Sequence, residues 1–161
     1  MMNMVARLFA RSEPVISQAG PRDSAAIAAL HAGSFNRGWS EDEVERLLAD
    51  RSVIAHRADL GRKFAGFIIS RFAAGEAEIL SVAVLPTRRG RGLARALLDL
   101  HLRRLAGLGV QTVFLEVDED NAAAMSLYRR SGFRKVGQRP GYYQQGRAKP
   151  GTALVLRREL L

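Results

Sequence analysis

A β-branched, apolar run from Ile79 to Leu85 ends at Pro86 and passes through Thr87-Arg88-Arg89-Gly90-Arg91-Gly92. It then opens into a segment in which Leu93, Ala94, Leu97, Leu98, Leu100, His101 and Leu105 recur at helical spacing. This strand, glycine-bearing turn and helix restricts the rest of the chain more than any other stretch. Two glycines one residue apart let backbone amides approach a ligand closely, and a helix start presents unpaired N–H groups with partial positive charge. Phosphate oxygens suit such a place, and three arginines in the same turn favour a pyrophosphate. The turn has no Gly-Lys-Ser/Thr ending, and Arg95 stands where a dinucleotide fingerprint needs its third glycine. The ligand implied is a phosphate-bearing cofactor that is neither a nucleoside triphosphate nor a nicotinamide dinucleotide.

The other elements follow from local signals. Val15 to Ala19 reads as a short strand, and Pro21-Arg22-Asp23 leads into an Ala-rich helix through about His31. Ser34 to Trp39 is a loop with two aromatics. Ser40 and Glu43 form a capping box for a helix whose apolar face carries Val44, Leu47 and Leu48. Ser52 to Arg57 and Lys63 to Arg71 read as a hairpin around Asp59-Leu60-Gly61, and Glu76 to Leu85 as the next strand. Gly107-Leu108-Gly109 ends the central helix, and Thr112 to Val117 is a buried-looking strand. A single crossover helix makes the strands on either side of it parallel neighbours, so the sheet is mixed. Asn121 is a cap candidate for a short helix with arginines in its last turn and Gly132 at the left-handed position beyond it. Val136 to Tyr143 and Ala153 to Glu159 read as a closing antiparallel pair.

At 161 residues the chain suits one domain, expected over 13–161 behind a flexible leader at 1–12. With no cysteine, disulfides, thiolate zinc sites and a cysteine nucleophile are excluded, and a reducing cytoplasm is the expected home. No apolar run approaches the length of a membrane span. A formal charge of +9 invites a nucleic-acid reading, but no recognition-helix or RNP-type motif supports one, and direct nucleic-acid contact is not expected. His31, His56 and His101 lack metal-ligand spacing, so no metal site is expected.

Two motifs carry a family resemblance. Arg88-Arg89-Gly90-Arg91-Gly92-Leu93 after Ala83-Val84-Leu85-Pro86 resembles the acyl-CoA-binding motif of the GNAT superfamily of N-acetyltransferases, with Thr87 where Gln or Arg is usual. Leu115-Glu116-Val117, followed by Asn121-Ala122-Ala123-Ala124, Leu127-Tyr128 and Gly132-Phe133, resembles the ribosomal-protein-alanine N-acetyltransferases and their N-terminal acetyltransferase relatives. The likeness runs from roughly Gly75 to Tyr143, and more loosely over the whole chain. The segment Gln144 to Gly151 departs from the family, which usually has an acidic residue and an alanine before its last strand.

The resemblance implies an α/β (α+β) fold: a mixed, mostly antiparallel sheet of about seven strands, about four flanking helices, and a parallel pair splayed around an acetyl-CoA site. The backbone of Val82, Ala83 and Val84 would pair with the pantetheine amides, and the amides of Arg89, Gly90, Arg91, Gly92 and Leu93 would hold the pyrophosphate. Asn121 would contact the pantetheine arm, or serve only as a helix cap. Phe35, Trp39, Tyr142 and Tyr143 would line a peptide groove, with packing of the loop onto the sheet as the alternative for Phe35 and Trp39 and a structural role as the alternative for the two tyrosines.

The reaction implied is transfer of acetyl from acetyl-CoA to the α-amino group of a protein, a small-subunit ribosomal protein with N-terminal alanine being the first expectation. An α-amine, with a pKa near about 8, needs only one modest base. Glu116 is that candidate, with Glu78 on the neighbouring strand as its rival, and Tyr128 would protonate the CoA sulfur. Ser81 and Ser126 have no histidine nearby in sequence to make either a nucleophile. Alternatives are a GNAT enzyme acetylating lysine or a small amine, a CoA-binding regulatory module without turnover, and a plain nucleic-acid binder. The sequence does not reveal an oligomeric state.

Overall fold

The computed structural model describes residues 13–35, 37–143 and 151–160, with the backbone alone at Tyr143. The expected leader and residues 144–150 lie outside that range. Seven strands, β1 (Val15–Gln18), β2 (Val53–Leu60), β3 (Lys63–Ala73), β4 (Glu76–Val84), β5 (Thr112–Asp118), β6 (Arg134–Tyr143) and β7 (Gly151–Glu159), form one sheet in the order β1-β2-β3-β4-β5-β7-β6. Four α-helices flank it among the described residues: α1 (Ser24–Ser34), α2 (Glu41–Ala49), α3 (Leu93–Gly107) and α4 (Ala122–Arg130). The architecture is the one expected from sequence, including the parallel pair. β7 inserts between β5 and β6, an order that no local signal encodes.

The core divides into two layers. α1 and α2 cover one face of the sheet, burying Ile27, Leu30 and Val44 against Ala55, Phe67 and Ile69. On the other face, α3 and α4 bury Leu97, Leu98, Leu105, Met125 and Tyr128 against Ile68, Ile79, Val113 and Leu115. Alternation along β5 follows from this, because Val113, Leu115 and Val117 face the α3/α4 layer and Phe114 and Glu116 face the other way.

Two turns differ from expectation or strain the chain. β2 continues through Leu60, only 6% exposed, so the hairpin turn is Gly61-Arg62 and not Asp59-Leu60-Gly61. Burying Leu60 keeps it in the strand, and a bulge at Ala58/Asp59 sets the register. Both turn residues then take positive φ, 56° and 68°, as a two-residue hairpin requires. The β3–β4 turn repeats this with Ala74 at 51° and Gly75 at 80°. A Cβ in the left-handed region costs about 1–2 kcal/mol, partly offset by the backbone entropy that glycine loses on folding. Ala74→Gly should therefore stabilise the protein by about 0.5–1 kcal/mol, read as a higher midpoint of chemical unfolding with an unchanged slope.

The capping box forms as expected, with Glu43 N–H donating to Ser40 Oγ at 3.1 Å and Ser40 N–H to Glu43 Oε2 at 3.3 Å. α1 runs three residues past His31, and the closing strands begin earlier than expected, at Arg134 and Gly151. Gly132 takes the left-handed conformation (φ 86°) that ends α4. No helix among the described residues is long and apolar enough to cross a membrane.

Candidate active site

β4 and β5 pair in parallel from Glu76↔Thr112 only as far as Ile79↔Leu115. At that point β4 carries a bulge: Ile79 pairs with Ser70 and Ser81 with Ile69, leaving Leu80 as the extra residue. A bulge bends its strand and increases local twist. Past it, Ser81 to Val84 pair with β3 alone, so one backbone edge of β4 is open where the strands diverge. The hydroxyl of Ser81, 7% exposed, is buried there without a hydrogen-bond partner among the described residues.

The glycine-bearing turn sits at the end of this open edge. After a short 3-10 turn at Pro86–Arg88, Gly90 and Gly92 both adopt φ of 76°. Gly92 caps α3 without a side chain, and the backbone N–H groups from Gly90 to Arg95 donate to no acceptor among the described residues. A Cβ at either glycine would meet nothing within 4 Å, so both turn positions border open space. Arg89 Nε donates to Val84 O at 3.2 Å, and Arg88, Arg89 and Arg91 form no ion pair among the described residues. Free donors, uncompensated positive charge and an open strand edge in one line fit a diphosphate joined to an amide-bearing arm.

The candidate chemical groups lie on opposite faces of the sheet. Glu116 is one residue beyond the last position of β5 that pairs with β4, on the face away from α4, and its side chain is 24% exposed. Arg139 Nη2 holds its Oε1 at 3.1 Å. Glu78, the rival base, lies where β4 is still paired, opposite Phe114, and is exposed. Tyr128 is 8% exposed on α4, its ring set edge-on to Phe133 with centroids 5.7 Å apart. Its hydroxyl makes no hydrogen bond among the described residues, and burial pushes its pKa up to about 12. Asn121 Oδ1 accepts from Ala124 N–H at 3.1 Å, so the capping role is realised.

Of the acceptor-side candidates, Phe35 is 42% exposed and Trp39 is half-buried against the α1/α2 layer. The loop carrying them is fastened to α1. Gly38 lies so close that a Cβ would come within 2.7 Å of Ala32 Cα, Trp39 stacks on His31 at 4.0 Å, and Trp39 N–H donates to His31 Nδ1 at 3.0 Å. Tyr142, 53% exposed, packs under the Arg139 guanidinium at 5.6 Å, which links it through Arg139 to Glu116. Tyr143 contributes only its backbone to the description, pairing with Gly151.

His31 makes this loop sensitive to pH. Burial lowers its pKa, with Glu43 opposing, so the neutral imidazole that accepts from Trp39 is the native form. The favourable contribution is complete above the unfolded value of about 6.5 and is lost as pH falls towards the lower folded pKa. Trp39 is the single tryptophan. Its emission should drop, without a shift in wavelength, along a titration with midpoint below about 6.5, because an imidazolium quenches a stacked indole. His31→Gln should remove the transition, and a flat profile in the parent protein would contradict the assignment.

Two features of the structure have no counterpart in the sequence reading. Arg139, the partner of Glu116, lies on a strand that reaches it only through the β7 insertion. His56, His101 and Ser70 form a buried chain, with Nδ1 to Nδ1 at 2.7 Å and Ser70 Oγ to His101 Nε2 at 2.6 Å. The chain resembles a nucleophile with its base, but Ser70 and His101 are fully buried. Ser81 and Ser126 have no histidine partner.

Comparison with known proteins agrees with this geometry. The acetyltransferase (GNAT) family model matches residues 24–133. The [ribosomal protein bS18]-alanine N-acetyltransferase of Escherichia coli K12 is 41% identical over 105 residues, covering 65% of this chain and 70% of that protein. A mycothiol acetyltransferase of Clavibacter michiganensis is 38% identical over 102 residues, and this chain spans only 33% of its length. The crystal structure of the ribosomal-protein-S18-alanine N-acetyltransferase from Escherichia coli superposes with a TM-score of 0.85 at 28% identity, covering 92% of this chain and 94% of that one. On the family match and on the split sheet with its bare helix start, the chain belongs to the GNAT acetyltransferase family.

Proposed function

We infer that this chain is an N-terminal α-amino acetyltransferase using acetyl-CoA, with the N-terminal alanine of a small-subunit ribosomal protein as first candidate acceptor. The observation that carries the reading is the gap between β4 and β5, with Glu116 on one face and the unpartnered Tyr128 hydroxyl on the α4 side of the sheet. Acetyl-CoA supplies the acetyl group as a thioester, its diphosphate held by the N–H groups of Gly90 to Leu93 and its arm by the backbone of Val82 to Val84. A cytoplasmic location is proposed on the cysteine-free composition.

The chain's own groups account for the proton movements. Glu116 takes a proton from the acceptor ammonium at Oε2, since Arg139 engages Oε1. The freed amine nitrogen forms the new bond to the acetyl carbon as the carbon–sulfur bond breaks, and the second proton that the nitrogen loses passes to the departing thiolate, giving the free thiol. Tyr128 keeps its proton at neutral pH, because burial has raised its pKa to about 12. Full transfer to a thiolate, whose pKa is near about 8.5, would run uphill, so the phenol acts as a hydrogen-bond donor to the departing sulfur. Phe35, Trp39, Tyr142 and Tyr143 are the proposed acceptor-side residues, and Asn121 stays with its cap.

A second reading, acetylation of a small amine, draws on the likeness to mycothiol acetyltransferases. Incubation with acetyl-CoA and peptides bearing free or blocked N-termini, a lysine peptide and a small primary amine separates the two by product mass. Preferred acetylation of the free N-terminal peptide is expected. Preference for the lysine peptide or the small amine would overturn the acceptor, and no thiol release with any acceptor would overturn the activity.

A further inference from the structure

Three buried polar side chains have no part in the chemistry above. Ser70, His101 and His56, at 0%, 0% and 3% exposure, form their chain beneath α3. The two Nδ1 atoms share one proton, so one imidazole donates and the other accepts. Either Ser70 donates to His101 Nε2 and His101 Nδ1–H to His56, which puts the second His56 proton site at Nε2, or the chain runs the other way and His56 Nε2 is an acceptor; a carboxylate beside His56 selects the first arrangement. His56 Nε2 has no hydrogen-bond partner among the described residues.

His56 lines a cavity of about 630 Å³ bounded by β1, β2 and the C-terminal half of α3. Ile54, Phe72 and Leu100 give it apolar walls, and Arg51, Arg103 and Arg104 give it charge. No carboxylate lines it, and none of these arginines forms an ion pair among the described residues. Arg103 and Arg104 stand some three helical turns from Gly92, about 16 Å along α3, so the cavity is separate from the diphosphate cradle. Its volume falls within the range of small-molecule sites.

We propose that this cavity binds a small organic anion with an apolar body, its carboxylate set among Arg51, Arg103 and Arg104 and accepting from His56 Nε2, its body against Ile54, Phe72 and Leu100. The guanidiniums disfavour a neutral ligand, which would leave them uncompensated. The apolar walls gain nothing from an inorganic ion. The proposal stands whether or not the acceptor assigned above is right.

The test uses the full chain with 2-naphthoate, its neutral analogue 2-naphthamide, and inorganic phosphate, followed by calorimetry and by amide NMR shifts. Naphthoate should bind at one site at least tenfold more tightly than either comparison compound. It should shift the amides of His56, Leu100 and Arg104, leave Gly90 and Gly92 in place, and persist with saturating coenzyme A. Arg103→Ala/Arg104→Ala should weaken it at least tenfold without altering acetyl transfer, and Arg51→Ala serves if that variant does not fold. No binding of naphthoate, equal binding of the amide or of phosphate, indifference to the arginine variants, or displacement by coenzyme A would each overturn the proposal.

Discussion

Glu116→Gln lowers kcat by about two to three orders of magnitude while leaving the affinity for acetyl-CoA within about twofold, as expected when a general base is lost and the cofactor contacts stay intact. The substitution keeps size and shape, and it removes the charge that Arg139 pairs with at 3.1 Å. Because that pair is partly exposed, the loss of stability should be small. Tyr128→Phe makes the complementary case. Its hydroxyl has no partner among the described residues, so removal should leave the melting temperature unchanged, while kcat falls by about tenfold or more through loss of the hydrogen bond to sulfur. A tyrosine serving only the core would show no rate effect. Single-turnover rates with the parent and both variants, beside calorimetric CoA affinities, check the pair of outcomes. Unchanged rates would remove both residues from the mechanism.

Acid should destabilise this protein well above the range where carboxylates titrate. Burial lowers the pKa of His56 to about 4 and of His101 to about 3, Arg104 adding to the first and His56 to the second. In the unfolded chain both titrate near about 6.5. Between these values the unfolded state binds more protons than the native state, so stability rises with pH through that window. The contribution is complete above about pH 6.5 and is progressively lost on the way down, His56's share by about pH 4 and His101's by about pH 3. At about 1.4 kcal/mol per pH unit for each imidazole, the loss by pH 4.5 is on the order of 5 kcal/mol, spread over a coupled pair. Urea unfolding at pH 7.5 and pH 4.5 measures it, and His101→Leu should flatten the profile while lowering stability at neutral pH by leaving Ser70 without its partner. An unchanged midpoint between the two pH values in the parent protein would mean that the imidazoles are not held neutral.

Much of the scaffold could be read from the chain because its signals are local. The run into Pro86, the two glycines at φ 76° and the leucine spacing after them lie within one short stretch, and the capping box at Ser40 and the terminator at Gly132 are likewise written next to the helices they govern. Chain reversals were less legible. Arg62 and Ala74 occupy left-handed positions that their side chains disfavour, tolerated because the strands on either side are firmly paired, and this moved the first hairpin turn from where sequence placed it. Contacts between distant residues could not be read at all. His56 and His101 are 45 residues apart, and Arg139 meets Glu116 only because β7 pairs with β5 on one side and β6 on the other. The bulge at Leu80, which opens the edge of β4, depends on its partner strand and leaves no mark in composition.

Everything proposed for the site depends on the open edge of β4 and the bare amides beyond it accepting coenzyme A. Titration calorimetry of the folded protein with acetyl-CoA tests this directly. One site should be seen, with binding abolished by Gly92→Val, which puts a β-branched side chain at φ 76° within the donor row. Absence of heat with the parent protein, or equal binding by the variant, would contradict the account.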